Sequence, residues 1–252
     1  MIRLIDLTKV YRKFKAVDGL NLDVPPGRVF GFLGPNGAGK TTTIRMMAGV
    51  LKPTSGRVEL NGYDMATRPS EAKRAVGFIP DRPFLYEKLT GMEFLRFMAG
   101  LYRLDHEGSP DRRALELLDL FELTGWRDEL IESYSHGMKQ RLVMCSALLH
   151  APRVIVVDEP MVGLDPRAAR LVKDIFRDQA KNGTTVFMST HSLGVAQEVC
   201  EEIAIIQSGR IIARGTADEL RALAGVDGNP ENTFLKLTEE TSSTHEGLRS
   251  PA

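Results

Sequence analysis

No apolar run in the sequence is long enough to cross a bilayer: the longest, Leu142 to Leu149, has eight residues and includes Ser146, against the ~20 that a spanning helix needs. Residues 1–20 carry charges throughout and lack an apolar segment with a cleavage site, so no export signal is expected there. Cysteine is scarce: Cys145 and Cys200 are too few for a disulfide framework, which leaves the cytosol as the expected compartment. Neither sign of charge is in surplus, with Lys+Arg and Asp+Glu both 33 and a formal net charge of zero. Without a global field the chain is not drawn to nucleic acid or acidic lipid, although a local patch is compatible with zero net charge. No internal repeat is present. What remains is 252 residues, 42% apolar and 26% charged, enough for one large or two small domains with a sizeable core, which excludes disordered, fibrous and mini-protein readings.

The first half alternates β-rich runs with turns. Ile2 to Ile5, Leu20 to Val24, Arg28 to Leu33 and Val58 to Leu60 are punctuated by Pro25-Pro26-Gly27, Pro53 and Gly56. A small antiparallel sheet beside the start of a parallel one is expected. Residues 84–150 change character: Thr90 and Glu93 are spaced as a capping box, and Ser109-Pro110 opens a helix through Leu123. This stretch reads as a helical insertion. Val154 to Val157 is a β-branched apolar run of the kind buried on both faces of a parallel sheet. Asp165-Pro166 then starts a helix to about Lys181, stopped by Gly183, and Thr185 to Ser189 reads as the next strand. Ile203 to Ile206 and Arg210 to Ala213 flank Ser208-Gly209 as a hairpin, and Thr216 with Glu219 caps a last helix near Leu223. The predicted organisation is one domain over 1–225 and a polar, frayed tail over 226–252.

Gly34-Pro35-Asn36-Gly37-Ala38-Gly39-Lys40-Thr41, followed by Thr42, matches G-x-x-x-x-G-K-[ST], directly after an apolar strand and before a helix-compatible segment. Its glycines let backbone N–H groups turn inward around phosphates, and the helix N-terminus adds positive potential. Lys40 can reach the terminal phosphates of a nucleotide, and the Thr41 hydroxyl can ligate Mg²⁺. Such a loop needs carboxylates nearby. Asp158 and Glu159 emerge where the buried Val154 to Val157 strand ends, the edge at which α/β ligand sites form. Asp158 is expected to anchor Mg²⁺ through water, and Glu159 to polarise the attacking water. These pieces describe any P-loop NTPase, with Mg²⁺ as its cation; ATP as the nucleotide follows only from the resemblance below.

The string Ser135-His-Gly-Met-Lys-Gln-Arg141 at a helix start, with Gly163-Leu-Asp165 and His191 downstream, narrows the class. From Ile2 to Leu223 the chain resembles the ATP-binding subunit of ABC transporters. The resemblance implies an α/β fold: a P-loop NTPase core with a mostly parallel sheet, an N-terminal antiparallel β subdomain and an α-helical insertion. It implies that Tyr11 stacks on adenine, against the plain reading of a strand-edge tyrosine. It implies that Ser135 and Gly137 bind the γ-phosphate of ATP held by a second ATP-binding subunit, a copy or a paralogue. It assigns His191 to the γ-phosphate and Asp165 to a loop linking the two sites, although Asp165-Pro166 is equally a good helix start. A separate integral membrane permease follows, with the chain peripheral on the inner face of the cell membrane, and Phe84, Leu85 and Tyr86 are docking or core residues.

Three departures from the family pattern stand out. Asp81 replaces the usual Gln after Val76 to Pro80; a carboxylate there either approaches Mg²⁺ or only ends its strand. His136 replaces the first signature Gly, and Tyr134 and Met138 replace the flanking Leu and Gln, as in ABC-2 type exporter subunits. Export is therefore favoured over uptake. The rival readings are an ABC-type ATPase acting on ribosomes or DNA, which a single motif set and zero net charge disfavour, and an ATP sensor without turnover, which Glu159 disfavours.

Overall fold

The computed structural model describes residues 1–104, 110–225 and 232–238. Its first half runs β1 (Ile2–Tyr11), β2 (Phe14–Val24), β3 (Val29–Leu33), α1 (Lys40–Met47), β4 (Ser55–Leu60), β5 (Tyr63–Asp64), α2 (Pro69–Arg74) and β6 (Val76–Ile79). There follow α3 (Gly91–Tyr102), α4 (Pro110–Leu120), α5 (His136–Leu148), β7 (Val154–Asp158), α6 (Pro166–Lys181), β8 (Thr185–Thr190), α7 (Leu193–Val199), β9 (Glu202–Gln207), β10 (Arg210–Gly215) and α8 (Ala217–Ala224).

Two sheets result. The first, in the order β2-β1-β4-β5, is antiparallel, and Ile2, Leu4, Leu20, Leu22, Val24, Val58 and Leu60 supply its buried face. The second has six strands in the order β10-β9-β3-β8-β7-β6; β9, β3, β8, β7 and β6 are parallel, and only β10 turns back on β9. Every residue of β3, β7 and β8 is buried, and the apolar β-branched run Val154 to Val157 of β7 is what a sheet covered on both faces requires. One core lies between the sheets, where Ile44, Met46 and Met47 of α1 meet Ile2, Leu4, Phe30 and Phe32. A larger one sits under α3, α4 and α5, joining Phe94, Leu95, Leu117 and Leu118 to Ile155 and Val157. The longest apolar run belongs to α5, a core helix, and no helix among the described residues is long and apolar enough to cross a membrane.

Local chemistry sets the helix starts. Both capping boxes form: Glu93 N–H donates to Thr90 Oγ1 (3.2 Å) while Thr90 N–H donates to Glu93 Oε2 (2.8 Å), and Thr216 with Glu219 repeats the exchange at 3.3 and 2.7 Å. The helix expected through Leu123 ends at Leu120, because Glu122 takes φ 56° and turns Phe121 and Leu123 into the core. Of the 226–252 segment, 226–231 and 239–252 lie outside the described residues. Residues 232–238 are helical, Phe234 and Leu237 pack on the cluster of Leu33, Ile203 and Leu220, and Gln207 Nε2 donates to Thr238 O at 2.9 Å.

Candidate functional site

The loop of residues 34–39 leaves β3 at the carboxyl edge of the parallel sheet and feeds α1. Two of its glycines are dictated by neighbouring backbone. A Cβ on Gly34 would lie 2.3 Å from Ile206 O, and one on Gly39, which has φ 111°, would lie 2.4 Å from Ala16 O. Gly37 also has positive φ, 80°, but faces open space. Ala38 N–H donates to Pro35 O (3.2 Å), which closes the turn. Gly39 is the N-cap of α1 and has no side chain to offer its first-turn N–H groups, so they stand ready for an anion. Lys40 opens the helix, only 6% exposed, and its ammonium donates to Gly34 O at 2.5 Å and Pro35 O at 3.2 Å. Burial pulls the Lys40 pKa below that of a free lysine, and the charges of Glu159 and Asp158 partly oppose the shift.

Asp158 ends β7, is 4% exposed, and accepts from Thr41 Oγ1 at 3.1 Å through Oδ2 and from the Ser189 hydroxyl through Oδ1. Ser189 lies opposite Asp158 in the parallel β7–β8 register, a partnership not predicted from sequence. Its only local signal is a serine beside Thr190 at the end of β8, whose middle, Val186 to Met188, is apolar. The next residue, Glu159, takes φ 49°, a conformation that strains a side-chain-bearing residue, and is held by its N–H donating to Ser189 O at 3.1 Å. Its Oε1 lies 2.8 Å from His191 Nδ1, just beyond β8. Lys40, Thr41, Asp158, Glu159 and His191 thus meet at one edge, assembled from three parallel strands. No group of three or more His, Cys, Asp or Glu side chains stands as a metal cage among the described residues. The Thr41–Asp158 pair, one hydroxyl and one carboxylate, fits a cation that keeps water and phosphate oxygens for its remaining positions, as Mg²⁺ does.

The other expected residues lie apart. Ser135 is the N-cap of α5, with Oγ accepting from Met138 N–H at 3.3 Å, and no hydrogen bond among the described residues joins the Ser135–Gly137 segment to the Lys40 cluster. Asp165 caps α6 by accepting from Ala168 N–H at 2.9 Å, the helix-start role that Asp165-Pro166 suggests. Asp81 is exposed beyond β6, with no hydrogen bond or ion pair among the described residues. Tyr11 is 45% exposed, with the Lys9 ammonium 5.4 Å from its ring centre. Phe84 is 86% exposed, Tyr86 stands edge-on to Phe97 at 5.2 Å, and Leu85 packs against the larger core.

A family model described as "ABC transporter" matches residues 17–162. The chain is 42% identical over 219 residues to the daunorubicin/doxorubicin resistance ATP-binding protein DrrA of Streptomyces peucetius, covering 87% of this chain and 66% of that protein. It is also similar to a solved ATP-binding subunit of an ABC transporter, at 32% identity and TM-score 0.87, covering 94% of this chain and 99% of that one. A dimeric ATP-binding cassette in a post-hydrolysis state with ADP and phosphate aligns at 26% identity and TM-score 0.76, covering 86% and 98% of the two chains. Together with the loop and carboxylates at the sheet edge, these matches place the protein: the chain belongs to the ABC transporter family and is an ATP-binding domain of it.

Proposed function

We propose that the chain hydrolyses ATP to energise export through a separate integral membrane permease, on whose cytoplasmic side it sits. The observation that carries this reading is the convergence of Lys40, Thr41, Asp158, Glu159 and His191 at the carboxyl edge of the sheet. The free N–H groups of the phosphate loop and the Lys40 ammonium bind the phosphate oxygens of ATP. Thr41 and Asp158 would hold Mg²⁺, which would supply charge neutralisation at the phosphates. Glu159 accepts a proton from water as the water oxygen bonds to the γ-phosphorus and the bond to the ADP oxygen breaks. His191, 2.8 Å from Glu159, orients that carboxylate and contacts the γ-phosphate under attack. Tyr11 contributes an exposed ring for adenine, and in the closed dimer Asp81 would add a carboxylate to the residues that hold Mg²⁺.

Two copies, or one copy and a paralogue, sandwich two ATP molecules. Each site then takes its phosphate loop from one chain and Ser135 and Gly137 from the other, which agrees with their separation within one chain. The likeness to a dimeric cassette holding ADP and phosphate supports this arrangement. Export is supported by the named role in drug resistance of the Streptomyces relative. Exposed Phe84 and Tyr86 offer the permease an apolar contact.

Glu159→Gln tests the chemistry. It keeps size and phosphate binding but removes the base, so ATP-bound dimers accumulate and turnover falls at least ~100-fold. Size-exclusion chromatography with ATP and Mg²⁺, alongside a phosphate-release assay, reads both effects. A monomeric variant hydrolysing at the wild-type rate contradicts the assignment.

A further inference from the structure

His136 stands where the family pattern has glycine, and its ring occupies the space a side chain at residue 163 would need. An added Cβ on Gly163 would fall 2.3 Å from His136 Cδ2 and 2.7 Å from Nε2. Gly163 has φ 77°, a backbone shape that suits glycine, so its conformation and the ring above it are matched. The next residue of α5 touches the same loop: a Cβ on Gly137 would lie 3.4 Å from Gly163 O and 3.6 Å from Leu164 Cδ2. The first turn of α5 therefore rests on residues 163 and 164.

That loop leads straight back to Glu159. Val162 N–H donates to Glu159 O (3.2 Å) and Leu164 N–H donates to Met161 O (3.3 Å), making two consecutive turns. Asp165 pins the far end as the cap of α6, and Met161, Leu164 and Met138 all lean on the larger core. A shift at Gly163 has little slack to be absorbed before it reaches Glu159 and its contact with His191.

We infer that His136 is a positioning residue: its imidazole, seated on Gly163, makes the start of α5 and the loop bearing Glu159 move as one body. This rests on the proposed two-chain ATPase. Ser135 and Gly137, the two residues assigned to the partner's ATP, would thereby set the same chain's own hydrolytic carboxylate. The work is done by the flat ring filling the space over glycine, not by a charge or a ring nitrogen.

The test uses the full chain carrying His136→Ala, His136→Phe, Gly163→Ala and the Ala/Ala double, each checked for folding by circular dichroism and thermal melting. His136 is exposed, so its variants should fold. His136→Ala should lower kcat about fivefold with the ATP concentration for half-maximal rate unchanged, as expected for one lost packing contact acting on the chemical step. His136→Phe, which keeps a flat ring, should stay within about twofold of wild type. Gly163→Ala should lose at least about 20-fold, and the double should recover at least about fourfold over Gly163→Ala, because the collision is gone and only backbone strain remains. The inference is overturned by a His136→Ala kcat equal to wild type, by His136→Phe as slow as His136→Ala, or by a double no faster than Gly163→Ala. Wild-type turnover and Glu159→Gln dimers, measured in parallel, separate the two levels. With both present, these outcomes overturn the positioning role alone; a wild type without turnover overturns the ATPase reading and the positioning role with it.

Discussion

Lys40→Met separates what the phosphate loop does for ATP from what it does for the fold. Methionine keeps the length of the side chain and removes its charge. In the chain without nucleotide, burial already disfavours the Lys40 ammonium, and hydrogen bonds to Gly34 O and Pro35 O with the nearby Asp158 and Glu159 only partly offset this. Removing a net-unfavourable charge should leave the melting temperature within about 2 °C of wild type or raise it. With nucleotide the order reverses. Binding stabilises the native state by RT ln(1 + [ATP]/Kd), about 2.7 kcal/mol at a hundredfold excess over Kd. For a chain of this size that is a rise of roughly 5–10 °C. Losing a charge-assisted contact to phosphate, worth about 1.5–3 kcal/mol, weakens Kd roughly 10- to 100-fold and removes about half of that rise or more. Differential scanning fluorimetry with and without ATP and Mg²⁺ measures both. A fall of more than about 5 °C without ATP, or an undiminished ATP-induced rise, refutes the balance of burial and binding assigned to Lys40.

Two further perturbations probe positions outside the central cluster. Asp81→Asn should raise the Mg²⁺ concentration for half-maximal ATPase activity, since a neutral amide is the weaker ligand for a hard cation; an unchanged Mg²⁺ titration with normal ATP affinity returns Asp81 to a strand-end role. His150 stacks on Tyr102 at 3.9 Å with its Nε2 3.0 Å from Val76 O, and burial pulls its pKa from 6.5 to about 4, partly opposed by that hydrogen bond. The unfolded chain then binds the proton more tightly than the folded one, so this contribution is complete above pH ~6.5 and is lost as pH falls toward 4, about 2 kcal/mol of it by pH 5. Urea titrations at pH 7.5 and 5.0 should show His150→Gln losing less stability between the two than wild type does; equal losses contradict the buried neutral imidazole.

The sequence is most legible where a local pattern carries the structure alone. The glycines between an apolar strand and Lys40 announce the loop, and the Thr90–Glu93 and Thr216–Glu219 boxes announce their helices, because each depends on residues a few positions apart. Strand β1 runs to Tyr11, past the expected Ile5, because register shifts between Leu4 and Lys9, with Asp6 at φ 48°, break its alternation of buried and exposed residues. The short helices α2 and α7 were not foreseen; at six and seven residues they hold by packing more than by periodicity. Ser189 beside Asp158, His191 against Glu159 and His136 over Gly163 depend on the β7–β8 register or on how α5 meets the loop before α6. Separations of 27 to 32 residues along the chain hide such partners from any local pattern.

The central claim is that one chain's phosphate loop works with another chain's Ser135 and Gly137, and mixed dimers test it most directly. Lys40→Ala and Ser135→Arg chains, each nearly inactive alone, are combined and the heterodimer is isolated through two affinity tags. One of its composite sites then has both elements intact and the other lacks both. ATP hydrolysis should return in part in the heterodimer. Verified heterodimers with no activity above either parent would contradict the shared site.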